Sequence, residues 1–159
     1  MTGNAYRDRI AAYLVRNYGG RGVRIYKEVT IGVSSIGKGR RVDLLVLDEA
    51  GRSALALECK YQGTGGTADE KIPYALQDLA ALRMPSGLVY AGPGWSQGVL
   101  HLLQSSEMAC FCQPPDDHAR LPRKHGDRDA GTWQLDHLVA MSFGWWEILV
   151  EGKQPIVVA

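Results

Sequence analysis

The chain has 159 residues, with 18 Lys and Arg against 17 Asp and Glu and a formal net charge of +1. That length supports one domain with an ordinary core. Near-neutrality excludes a global basic field, so any phosphate contact needs a local cluster such as Arg21/Arg24, Lys38/Arg40/Arg41 or Arg120/Arg123/Lys124/Arg128.

Three cysteines, odd in number and sparse, argue against a disulfide scaffold and fit a reducing cytoplasm. Residues 1–6 show no signal-peptide pattern. The apolar run 138–150 is interrupted by Ser142, Gly144 and Glu147 and is too short for a bilayer, so no membrane is expected.

In chain order, Tyr6, Ile10, Tyr13 and Leu14 fall on one face of a helix over 5–18, which Gly19-Gly20 ends as a C-cap. From 23 to 33 the odd positions are Val23, Ile25, Lys27, Val29, Ile31 and Val33, which predicts a strand with one buried face. After a turn over 34–39, strands over 41–47 and 53–62 flank the turn Asp48-Glu49-Ala50-Gly51-Arg52. Thr67-Ala68-Asp69-Glu70 fits a capping box before a helical stripe of Ile72, Leu76, Leu79 and Ala80. Pro73 conflicts with a helix starting at Thr67: the helix kinks there or begins there.

A short buried strand over 87–91 follows, and its order after a helix predicts a crossover and parallel addition. Residues 95–106 read as a helix and 108–112 as a further strand. Residues 113–131 read as a long surface loop, and 132–151 as a final helical segment carrying Trp133, Trp145 and Trp146, expected in the core or at a dimer contact. The domain is therefore 1–159, with a core of about 3–112, the loop 113–131 and a C-terminal extension over 132–159.

Chemistry concentrates on the two central strands. Along 53–62 the odd residues Leu55, Leu57, Cys59 and Tyr61 make an apolar face, and Glu58, Lys60 and Gln62 share the other face behind Ala54 and Ala56. A hairpin centred between Ala50 and Gly51 sets Asp43 opposite Glu58. Directly opposed side chains have Cβ atoms about 4.5–5.5 Å apart. Two carboxylates that close repel unless one is protonated or a cation lies between them. Glu58 and Lys60 alone also fit the solvated face of an edge strand. With Asp43 on the neighbouring strand they read as a divalent-metal site with a lysine beside it.

Asp43 followed by Glu58-Cys59-Lys60, on consecutive strands after one helix and before another, resembles the PD-(D/E)XK nuclease superfamily. The resemblance covers roughly residues 3–92 and includes the block from Lys60-Tyr61-Gln62 to Pro73-Tyr74. It implies an α/β fold: a restriction-endonuclease-like αβββαβ core with a central mixed sheet flanked by helices. It implies that Asp43, Glu58 and the Cys59 carbonyl hold Mg²⁺ or Mn²⁺, that Lys60 orients the attacking water, and that Gln62 is a further polar catalytic residue. The activity implied is metal-dependent DNA endonucleolysis, restriction-like, junction-resolving or in a mobile element, commonly by a homodimer. Two departures stand out. Val42 takes the place of the motif's proline. Arg7 stands where many members carry a first-helix glutamate, leaving Asp8, Glu28 or no acid to serve. That substitution favours the alternative of an inactive nuclease fold serving as a nucleic-acid-binding or assembly subunit.

Other patterns carry less. Cys110-Phe111-Cys112 with His118 and His125 lacks zinc-knuckle spacing and reads as packing. His101 and His137 have no triad partners in sequence. The glycines over 63–66 lack a Walker ending.

Overall fold

The computed structural model describes residues 1–33, 37, 39–114 and 131–159. Most of the predicted loop 113–131, with its basic cluster and with His118 and His125, lies outside the described residues, as does most of the turn 34–38. The elements are α1 (Gly3–Tyr18), β1 (Val23–Val33), β2 (Gly39–Asp48), β3 (Ser53–Tyr61), α2 (Ala68–Ala81), β4 (Ser86–Ala91), α3 (Gln97–Ser105), β5 (Ala109–Phe111) and α4 (Trp133–Phe143). One mixed sheet runs in the order β1-β2-β3-β4-β5. Its first three strands form an antiparallel meander, and β4 and β5 add in parallel through helical crossovers. This is the α/β architecture expected from the sequence.

The pleat sorts the core into two layers. Leu44, Val46, Leu55, Leu57, Cys59, Val89 and Ala91 face α1 and α4, meeting Tyr6, Ile10, Leu14, Leu135 and Val139. Leu88 and Tyr90 face the other way, meeting Ile72 and Leu79 of α2 and Leu103 of α3. Helix α4 thus packs into the main core. Glu58 pairs with Leu88 and Lys60 with Tyr90, so both polar residues of β3 lie on the α2 side of the sheet.

The predicted buried face of α1 is present: Tyr6, Ile10, Tyr13 and Leu14 are all buried, and Thr2 caps the helix by accepting the Ala5 N–H. The C-cap differs. Gly19 stays right-handed, the chain continues as a 3-10 turn, and Gly22 supplies the left-handed residue at φ 86°.

Strand β1 is less buried than its pattern promised. Among its described side chains only Val23 is fully covered, and Ile25, Val29 and Ile31 are half-buried, because β1 forms an edge of the sheet. The predicted capping box is absent: Thr67 is right-handed and makes no side-chain cap. Helix α2 runs through Pro73 rather than starting at it, so one backbone hydrogen bond is missing inside the helix. Helix α4 stops at Gly144, a left-handed C-cap, well short of 151. Of the tryptophans there, Trp145 stacks on Tyr18 and Phe143, whereas Trp133 and Trp146 are exposed.

Candidate active site

Strands β2 and β3 pair from Asp48↔Ser53 to Leu44↔Leu57, the register set by a turn centred between Ala50 and Gly51. The next pair would be Asp43 and Glu58, and there the ladder ends. The Asp43 side chain takes its place: Oδ2 accepts the Cys59 N–H at 2.7 Å. In an extended strand the N–H and C=O of one residue point to the same side. The Cys59 carbonyl therefore faces the β2 side, where Asp43 sits. The Cys59 thiol points the other way, into the core.

By alternation from the Leu44↔Leu57 pair, Asp43 and Glu58 share a face of the sheet, and the Asp43 charge acts on the Glu58 carboxyl. Glu58 is largely covered, with 18 % of its side chain exposed, and Lys60 Nζ lies 3.6 Å from Glu58 Oε2. Burial raises the Glu58 pKa, the Asp43 charge raises it further, and Lys60 opposes both; the result is a carboxyl pushed up to about 7.

This has a consequence for stability. Between the ordinary value of 4.5 and about 7, the folded protein keeps a proton on Glu58 that the unfolded chain has lost. Folding stability from this group therefore falls as pH rises through that window and levels off above it. With a chelator present, thermal melts should show this decline, and Glu58→Gln should flatten it. An unchanged slope in Glu58→Gln would contradict the assignment.

Arg7 accounts for the missing first-helix acid. By register, Glu28 of β1, Asp43 of β2 and Glu58 of β3 form one row across three strands. The pairing skips Glu28, whose φ of 53° is left-handed. Arg7 Nη1 donates to Glu28 Oε1 at 3.0 Å, and its Nη2 donates to Asp8 Oδ1 at 3.0 Å. Asp8 also takes Lys27 Nζ at 3.3 Å. The hydrogen bond with Asp8, and the nearby charges of Asp8, Glu28 and Asp43, raise the Arg7 pKa against the opposing effect of burial. Asp8 and Glu28, the two acids near the place of the glutamate, are thus both held by a buried guanidinium.

Gln62 makes its hydrogen bonds with other partners. It is 5 % exposed, and Nε2 donates to Asp69 Oδ1 at 2.9 Å and to the Gly94 carbonyl at 2.8 Å. The Gly94 N–H returns to the Gln62 carbonyl at 2.8 Å. A Cβ at Gly92, where φ is 105°, would strike that same carbonyl. Gln62 thus ties the ends of β3 and β4 to the start of α2 through its Nε2, while its Oε1 is buried with no hydrogen-bond partner among the described residues.

An open cleft of about 540 Å³ borders the acids, lined by Glu58 and Lys60, by Arg40 and Arg41 of β2, and by Lys71, Tyr74 and Asp78 of α2. A family model described as the PD-(D/E)XK nuclease superfamily domain matches residues 2–146. The chain belongs to the PD-(D/E)XK nuclease superfamily. No curated protein and no solved structure matches it. Membership makes nucleic acid the substrate class and phosphodiester hydrolysis the general chemistry, and nucleases of this superfamily generally use divalent metals.

The donor set of this PD-(D/E)XK site fits such an ion. Two carboxylates and a backbone carbonyl are oxygen ligands of the kind Mg²⁺ and Mn²⁺ take, with waters completing the shell. Among the described residues no group of three His, Cys, Asp or Glu side chains gathers as a metal cluster. Cys110 and Cys112 are buried free thiols.

Sequence reasoning missed the α2 wall of the cleft. The signal was present: Lys71, Tyr74 and Asp78 recur at i, i+3 and i+7, a polar stripe beside the buried Ile72 and Leu79.

Proposed function

We propose that this superfamily member is a metal-dependent DNA endonuclease. One observation carries the reading: Asp43 and Glu58 project from adjacent strands to one face, with Lys60 Nζ 3.6 Å from Glu58 Oε2. Asp43, Glu58 and the Cys59 carbonyl hold Mg²⁺ or Mn²⁺. When bound, that ion supplies Lewis acidity and a more acidic water. Lys60 orients the attacking water and offsets charge on the phosphate oxygens. The water oxygen bonds to phosphorus and gives up a proton to solvent, one ester P–O bond breaks, and the leaving oxygen takes a proton from solvent. Arg7 neutralises the third acid of the row, which supports a site for one cation.

A single cleft processes one strand, so cutting both strands of a duplex takes two copies, and a homodimer belongs to this reading. Free thiols at Cys59, Cys110 and Cys112 support a reducing, cytoplasmic setting. No described helix is long and apolar enough to cross a membrane. A restriction-like, junction-resolving or mobile-element role fits a domain this small.

A second reading is an inactive nuclease fold that binds nucleic acid or assembles with partners, and Arg7 in place of the first-helix acid favours it. Incubation with supercoiled, linear, single-stranded and branched DNA, with Mg²⁺ or Mn²⁺, separates the two. The endonuclease cuts at least one of these and loses cleavage with chelator. The inactive fold cuts none and shows no metal-dependent rise in melting temperature.

A further inference from the structure

We infer that Tyr74 is a base-stacking platform and that the preferred substrate is DNA whose bases beside the cut phosphate are unpaired, as in a single strand or a branch. This rests on the nuclease reading above and names its substrate. Tyr74 is 71 % exposed and belongs to neither core cluster, although its helix buries Ile72 and Leu79. It lines the same cleft as Glu58 and Lys60, so its ring borders the space where a scissile phosphate would lie.

The neighbours of Tyr74 are the chemistry of a nucleic-acid backbone. Lys71 stands one turn before it on α2, and Arg40 and Arg41 of β2 line another wall. None of these three cations is in an ion pair among the described residues. They outweigh the acids of the cleft, Glu58 and Asp78, once a cation has neutralised Glu58. A ring flanked by unpaired cations is the arrangement by which single strands are held: charge follows the phosphates, and the aromatic face takes a base.

The ring also discriminates. In a paired duplex each base face is covered by its stacked neighbours, and a side chain reaches it only if the base is flipped out. A cleft of about 540 Å³ has room for nucleotide-sized groups. Unpaired bases reach Tyr74 without that cost.

The test measures affinity in a Lys60→Ala background, which prevents cutting. The probes are a short fluorescent single-stranded DNA and the same sequence fully paired. Tyr74→Ala should weaken single-strand binding by about 5- to 100-fold. Tyr74→Phe, which keeps the ring, should stay within about twofold of the parent, and duplex affinity should change little in either variant. Melting temperature checks folding, which an exposed position should leave intact.

Unchanged single-strand affinity in Tyr74→Ala, equal losses in Ala and Phe, or equal losses on duplex would each overturn the inference. If Tyr74→Ala binds single strands normally while the unaltered protein cuts DNA with Mg²⁺, the stacking proposal fails and the nuclease reading stands. If the unaltered protein cuts nothing, the nuclease reading fails, and the proposed substrate fails with it.

Discussion

Replacing Lys60 with alanine should lower metal-dependent DNA cleavage by about 10²–10³-fold while leaving the fold intact. Lys60 is half-buried on the sheet face, and its ammonium is the positive charge nearest Glu58. A preorganised charge beside the reacting phosphate is worth most where water is partly excluded, and this strand borders a cleft. Lys60→Arg should recover part of the loss, because the charge is kept while its position changes. The losses should fall on kcat more than on KM if Lys60 acts on the transition state. Removing Lys60 also removes the cation that opposes the raised Glu58 pKa. The pH at which residual activity rises should therefore move upward in Lys60→Ala. Single-turnover cleavage across a pH series measures both effects. Full activity in Lys60→Ala would remove this residue from the chemistry.

Asp136→Ala should be the most destabilising single polar substitution in the described fold, by about 3–5 kcal/mol. Asp136 is fully buried on α4, 0 % exposed. Its Oδ1 accepts the Tyr13 hydroxyl at 2.6 Å and the Tyr18 hydroxyl as well, and its Oδ2 accepts Thr132 at 3.1 Å. Among the described residues three donors converge on this carboxylate, tying α4 to α1. Truncation removes the acceptor that these buried hydroxyls share. Tyr13→Phe removes one donor only and should cost about 1–2 kcal/mol. For a domain of this size Asp136→Ala should lower the melting temperature by about 10 °C, read by circular dichroism. A melting temperature within about one degree of the parent would show that the network contributes little.

The parts legible in the sequence were those fixed locally. The turn centre between Ala50 and Gly51 sets the register of β2 on β3, and alternation then puts Asp43 and Glu58 on one face without reference to the rest of the chain. The heptad-like spacing of Tyr6, Ile10, Tyr13 and Leu14 fixes the buried face of α1 in the same way. What escaped depends on distant partners. Tyr13 and Asp136 are 123 positions apart, so nothing near either residue announces the network. Gln62 shares a strand face with Glu58 and Lys60. Period-two reasoning cannot see that Gly94, 32 residues on, claims its amide. The position of Arg7 was readable as a departure from the family pattern. That it neutralises Glu28 follows only from the left-handed kink in β1 that brings the two together. Helix α2 tolerates Pro73 because tertiary packing of Ile72 and Leu79 outweighs one lost backbone bond.

Asp43 and Glu58 together should grip a divalent cation. Calorimetric titration of chelator-stripped protein with Mn²⁺ at about pH 8, where Glu58 is ionised, tests this without any substrate. The expected result is one ion per chain, with affinity falling at least about tenfold in Asp43→Asn and in Glu58→Gln. Binding of equal strength in both variants, or no binding by the unaltered protein, would contradict it.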